Sequence, residues 1–450
     1  MGGLPRRLSI SPLRGAGTQL ATRKATPVQA STTLLFSTDL LDALALKVGS
    51  NDLLAFSLTC REFRDAWRRS RRPLRTRVRH MASSQTLLQW AVSLRLPLDT
   101  RTSAFAALSG KVEVLAYCAK ELGCPLDERT TAYAAASGNV EVLKWAHGER
   151  CRWDERTCAY AAGSGNLEML SWARQHGAPW DAWTCAEAAR ANALDVLKWS
   201  RQNGAPWDAE TCAEAAGANA MAVLAWARMN GCPWDAYLCE KAALAGHLSV
   251  LQWARALHAP WDEWTCAAAA RRGHLHVLEW AWRHGCPWDE SMVCALAAGG
   301  GHLHVLKWAR EQGCQWNAET CAAAALRGNL EVLVWAREQG CPWDESTCAK
   351  AAAGGHLETL RYARERGCPW DVKTSHAAAE GGHLQVLAWA RSHGCEWDAH
   401  VHTLALRCRH PDVARWARAH GCPIEGAPDE PRTRRPNSFF RACMWLRRWI

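Results

Sequence analysis

The 450-residue sequence predicts an all-α solenoid of about twelve or thirteen short helical hairpins, preceded by a small helical module. Three observations predict it. One slot recurs as Trp153, Trp180, Trp207, Trp234, Trp261, Trp288, Trp316, Trp343, Trp370 and Trp397, with Leu98, Leu126 and Ile424 in the same place at the edges. Every step is 27 residues except two of 28, and a fixed period of this size is the signature of stacked repeats. A second column, from Trp90, Tyr117 and Trp145 to Trp389 and Trp416, keeps the same spacing and is aromatic throughout. Together the two columns hold 21 of the 27 tryptophans, which accounts for the composition without a ligand. The third observation is a division of labour inside each repeat. The phrase T-C-A-x-A-A-x-x-G is small and alanine-rich, while H-L-x-V-L-x-W-A-R-x-x-G is bulky. Each phrase reads as one helix ending at a glycine, with the Asp after Trp as N-cap of the first.

The elements follow in order. Residues 1–33 carry five basic and no acidic residues and no apolar run, and are expected to be a disordered basic arm, not a secretory signal. Residues 34–67 turn apolar with helical spacing, and Asp52 reads as the N-cap of a second helix. Residues 68–80 form an arginine-rich linker, read equally as a solvated face or as a basic patch for nuclear import or nucleic acid. The repeats occupy residues 81–425, and residues 426–450 form a basic aromatic tail expected to cap the last repeat.

The repeat phrase resembles the ankyrin repeat. Thr347-Cys348-Ala349 stands at that family's Thr-Pro-Leu-His, Ala351-Ala352 at its Ala-Ala, and Gly355-His356-Leu357 at its Gly-His start of the second helix. Gly367-Cys368-Pro369-Trp370-Asp371 resembles its Gly-Ala-Asp-Val-Asn. At 27 residues the repeat lacks six relative to that family, where the family carries its β-hairpin finger, so habits of binding through fingers do not carry over. The short, tryptophan-rich form looks most like repeats of large DNA viruses and protists. Residues 34–67 are similar to an F-box. Leu40-Leu41 and Leu44 stand at its leucines and isoleucine, Asp52-Leu53-Leu54 at its Asp-Leu-Leu, and Cys60-Arg61 through Phe63 at its Cys-Arg-Arg-Trp. Ser37 stands where the family has Pro. The resemblance implies docking of a Skp-type adaptor of a cullin ubiquitin ligase through Leu40, Leu41, Leu44, Asp52, Leu53, Leu54 and Phe63. The repeats would then hold the target.

Charge and chemistry bound the function. The formal charge is +10, but the arm, linker and tail hold the positive excess and the array itself is about −4. A solenoid that reads nucleic acid is expected to carry its positive charge along the array. Neither nucleic acid nor a membrane is the expected partner, and the expected site is the cytoplasm or nucleus, or the host cell cytoplasm if the source is viral. The cysteines are expected to be small buried hydrophobes in a reducing compartment, since like positions on successive layers are too far apart for disulfides. No phosphate loop, nucleophile elbow or zinc-protease motif is present, so no catalytic residue, metal or cofactor is assigned. The spacing of His274/His276 and His302/His304 by two points each pair to different helix faces.

The informative positions vary while the frame stays fixed. Just before the Thr slot stand Arg156, Trp183, Glu210, Tyr237, Trp264, Glu319, Ser346 and Lys373. Near the end of the first helix stand Arg190, Leu244, Arg271, Arg272, Leu326 and Arg327. These columns are expected to line the face that reads a protein target, with Trp183, Tyr237 and Trp264 as aromatic anchors.

Overall fold

The computed structural model describes residues 78–93 and 98–423, and every regular element among them is helical. The array opens with a one-turn helix at Val78–Met81 and the helix Gln85–Ser93, then continues as pairs of helices. Each pair has a leading helix such as Ala236–Ala245 and a trailing helix such as Leu248–Ala256.

The leading helix begins and ends where the sequence sets it. Asp235 is extended at φ −137 and its side chain accepts the Tyr237 backbone N–H at 3.1 Å. Such a cap satisfies one of the orphan donors of the first turn. At the other end Gly246 takes φ +79, and the His274 ring of the next repeat lies 2.8 Å from where a Cβ would stand. Glycine is required there for conformation and for space alike. Asn192 and Asn219 take the same left-handed conformation at φ 54 and 55 in repeats without that glycine.

The two helices pack by different means. Cys239, Ala242 and Ala243 of the leading helix are buried, and successive leading helices approach closely along their length. Trailing helices bury Val250, Leu251 and Ala254 but meet one another at few points. The space between them is filled by a ladder of rings and guanidinium groups. The Arg228 guanidinium lies 4.2 Å over the Trp234 ring, and Trp234 meets Trp253 edge-on at 6.1 Å. Arg255 then covers Trp261 at 4.1 Å, and the pattern repeats. Each such cation–π contact contributes about 0.5–2 kcal/mol. The same Arg also closes the loop: Arg364 Nη1 donates to the Cys368 carbonyl at 2.5 Å. Two rings stand in for that Arg: His147 stacks on Trp153 at 4.7 Å, and Trp282 packs on Trp288 and Trp308 at 6.2 and 5.7 Å. Both aromatic columns therefore serve the frame.

The two long repeats absorb their extra residue inside a helix. One widens into a π-turn at Tyr117–Glu121, and the other has an eleven-residue leading helix at Glu290–Gly300. Local π-turns are the usual accommodation of one inserted residue.

The paired histidines depart from the expectation of opposite faces. His302 is an N-cap, outside the helical register, so its ring lies 6.0 Å from that of His304. Their Nε2 atoms donate to the carbonyls of Arg271 and Gly273 at 3.1 and 3.0 Å, tying the end of the preceding leading helix.

Among the described residues every cysteine is buried except Cys408. Unlike positions do meet: the sulfurs of Cys294 and Cys314, 20 residues apart, lie 3.3 Å from each other. Burial pushes the Cys158 and Cys239 thiols up to about 12, away from the reactive thiolate. In native protein treated with iodoacetamide, Cys408 is expected to be modified at least about tenfold faster than the other described cysteines. Peptide mapping by mass spectrometry checks this.

No helix among the described residues is long and apolar enough to cross a membrane. The F-box-like residues Leu40, Leu41, Leu44, Asp52, Leu53, Leu54 and Phe63 lie outside the described residues, as does the tail from residue 424.

Candidate partner-binding face

The N-cap, Asp in most repeats and Asn317 in one, fixes the phase of each leading helix and therefore which side chains leave the core. Arg156, Trp183, Glu210, Tyr237, Trp264, Glu319 and Lys373 all occupy the second helical position. Trp183 and Trp264 are each 36% exposed, a large exposure for indole. Glu210, Glu319 and Lys373 are exposed, while Arg156 and Tyr237 are half-buried.

These seven side chains stand one per repeat. In the repeats of Trp264, Glu319 and Lys373 the residue four further along is alanine, and the other four are joined by a column at that place, which shares their face. It consists of Phe105, Tyr133, Tyr160, Glu187, Glu214 and Lys241, and its variation inside a constant frame was the signal available in the sequence. Phe105 packs on Tyr133 at 5.6 Å, Tyr133 on Tyr160 at 6.4 Å, and Tyr160 meets the edge of Trp183 at 5.4 Å. An aromatic strip thus crosses four repeats.

The strip then turns ionic. Trp183 Nε1 donates to Glu187 at 3.2 Å, and Arg190 Nε donates to the same carboxylate at 3.0 Å. Gly163 of the preceding repeat leaves room for this pair, since a Cβ there would lie 2.7 Å from Glu187 Oε2. Lys241 Nζ reaches back across the layer to Glu214 at 2.6 Å and lies 5.0 Å over the Tyr237 ring. Burial favours neutral Lys241, but the hydrogen bonds to Glu214 and Tyr237 override it and hold the ammonium above the usual lysine range. Burial, with a hydrogen bond to Glu214, raises Glu210. Beyond the ionic stretch, a shallow groove of about 440 Å³ opens between Trp264, Pro287, Trp288, Asp289 and Met292, where the eleven-residue helix begins.

One carboxylate is set apart from the face. Glu240 occupies the fifth helical position, against the next repeat's cap Asp262. Burial, then the Asp262 charge, raise it to about 7. Its folded pKa exceeds the unfolded value of about 4.3, so native stability is full below that value and falls as pH rises towards 7. Glu240→Gln is expected to remove this slope. Denaturant midpoints should therefore rise at pH 8 and change little at pH 4.

The recurring acids have a structural use. Asp181, Asp208, Asp262 and Asp371 each accept a backbone N–H of their own helix. The face offers aromatic surface and charge of both signs, an arrangement suited to gripping a chain.

No protein-family model and no curated protein matches this sequence. Solved structures that align with the chain include helical-repeat proteins. The pentatricopeptide repeat protein PPR10 in complex with an 18-nt psaJ RNA element aligns over 85% of this chain and 67% of its own, at 15% identity and TM-score 0.34. The same protein from maize aligns over 86% and 68%, at 16% identity and TM-score 0.32. The human ASB11 ankyrin repeat domain aligns over 42% of this chain and 99% of its own, at 15% identity and TM-score 0.31.

Proposed function

We propose that this protein is a non-enzymatic binding scaffold whose leading-helix face holds a segment of a partner protein. The observation that carries the reading is the continuity of that face. Side chains that vary from repeat to repeat form two contacting stretches, Phe105 to Arg190 and Glu214 to Lys241, linked by the attraction of Arg190 to the Glu214 charge. Anchors of the Trp and Tyr type, surrounded by charge, carry most of the energy in protein recognition. The mixed charge of the face and the net negative array favour a protein over a phosphate backbone, whose binding draws on an excess of Lys and Arg.

The same reading gives the scaffold an effector. Residues 34–67, through Leu40, Leu41, Leu44, Asp52, Leu53, Leu54 and Phe63, dock a Skp-type adaptor, and the array presents its partner to a cullin ubiquitin ligase. The ungapped fit of Asp52-Leu53-Leu54 and Thr59-Cys60-Arg61 to an F-box supports this step. The full chain is expected to bind a purified Skp-type adaptor at micromolar concentration or tighter, with binding lost in Leu53→Asp and in Leu54→Asp. Absence of binding leaves a scaffold with no link to ubiquitin.

A further inference from the structure

The junction between the leading helices Val372–Gly381 and Ala399–Arg407 breaks the frame in a chemically specific way. The fifth helical position faces the cap Asp of the next repeat, as Glu240 and Asp262 do. Most repeats place alanine there, including Ala186, Ala213 and Ala322. At this junction the fifth residue is His376, the facing cap is Asp398, and the second position of the capped helix is His400. His376 Nε2 lies 2.7 Å from Asp398 Oδ1, and His400 Nδ1 lies 3.4 Å from Asp398 Oδ2. The three donor atoms lie within 4.8 Å of one another, the one such group of three among the described residues.

We propose that His376, Asp398 and His400 form a binding site for a divalent zinc-type ion. Tetrahedral zinc with nitrogen and oxygen donors at roughly 2.0–2.1 Å places neighbouring donors about 3.3 Å apart. The 3.4 Å separation at Asp398 matches that value, and the 2.7 Å one is a hydrogen-bond distance that the ion would widen by taking the place of the shared proton. The carboxylate is already oriented, because Asp398 Oδ1 also accepts the His400 backbone N–H at 3.0 Å. Fixing a ligand through a neighbouring hydrogen bond is how metal sites gain affinity. The side chains of His376, Asp398 and His400 are 24%, 43% and 62% exposed, which leaves an entry path and a fourth position for water. Two imidazoles and one carboxylate suit zinc and its transition-metal neighbours, whereas calcium and magnesium require more oxygen donors. The ligands come from two repeats, so the ion would cross-link adjacent layers near the end of the array.

The test is a titration of the chelator-stripped full chain with Zn²⁺ against a chromophoric competitor, with Co²⁺ absorption as a second readout. Parent protein is expected to bind one equivalent at this site and to give the visible absorption of tetrahedral Co²⁺. His376→Ala and His400→Ala should each weaken binding at least about tenfold, with helical content unchanged by circular dichroism. Both residues are partly exposed, so neither change threatens the fold. Absence of saturable binding, or binding unchanged in either variant, would overturn the proposal. Equal binding of Ca²⁺ would overturn it as well.

Discussion

Leu251→Ala is expected to lower stability by about 3 kcal/mol and to divide the unfolding of the array. Leu251 is fully buried in a mid-array trailing helix, and trailing helices meet one another at few points. Deleting its methyl groups removes their burial and leaves a cavity that a repeat tied on both sides closes only partly. Each hairpin is stabilised by its neighbours alone, so a weakened junction uncouples the segments on either side. Denaturant unfolding followed by circular dichroism should show two transitions where the parent shows one. The exposed neighbour Gln252, replaced by alanine, should stay within about 0.5 kcal/mol of the parent. A single unshifted transition for Leu251→Ala would contradict this picture of the packing.

Replacing Trp183, Tyr237 and Trp264 together by alanine is expected to abolish partner binding while leaving the helices intact. Trp183 and Trp264 face solvent, and their truncation opens no core cavity. Residues of this type commonly contribute about 2 kcal/mol or more each at a hot spot, so the triple variant should weaken binding by at least about 100-fold. Titration of the purified partner into parent and variant measures it. Lys241→Glu provides a second handle, because it sets a third carboxylate beside Glu210 and Glu214 and reverses the charge in the middle of the strip. Its effect should be strongest on association rate and at low salt. Undiminished binding by the triple variant would remove the leading-helix face from consideration.

Most of the frame is legible in the sequence. The period places each hairpin, Asp235 and its equivalents mark helix starts, and Gly246 and its equivalents mark helix ends, because caps are local physics. The burial of the aromatic columns follows from their place in an apolar phrase. Their guanidinium partners do not, since Arg228 near the end of its helix folds over Trp234 in the loop that follows. The binding face was half visible. Position two stands out because it interrupts a constant phrase, whereas position six, from Phe105 to Lys241, varies within an alanine-rich run and is tied to position two only through the i+4 geometry of the helix. The pairing of Cys294 with Cys314 and of His376 with Asp398 depends on separations of 20 and 22 residues, which loop geometry sets. The F-box-like residues from Leu40 to Phe63 lie outside the described region, and their assignment rests on the sequence alone.

The central claim is that the leading-helix face receives a protein. A photoreactive amino acid placed at Tyr237, and separately at the exposed Gln252 of the neighbouring trailing helix, tests it directly in cells expressing the full chain. Position 237 is expected to yield discrete protein adducts that survive ribonuclease and vanish when Trp183 and Trp264 are both alanine, while position 252 yields none. Adducts from position 252 alone, or adducts at 237 that ribonuclease removes, would contradict it.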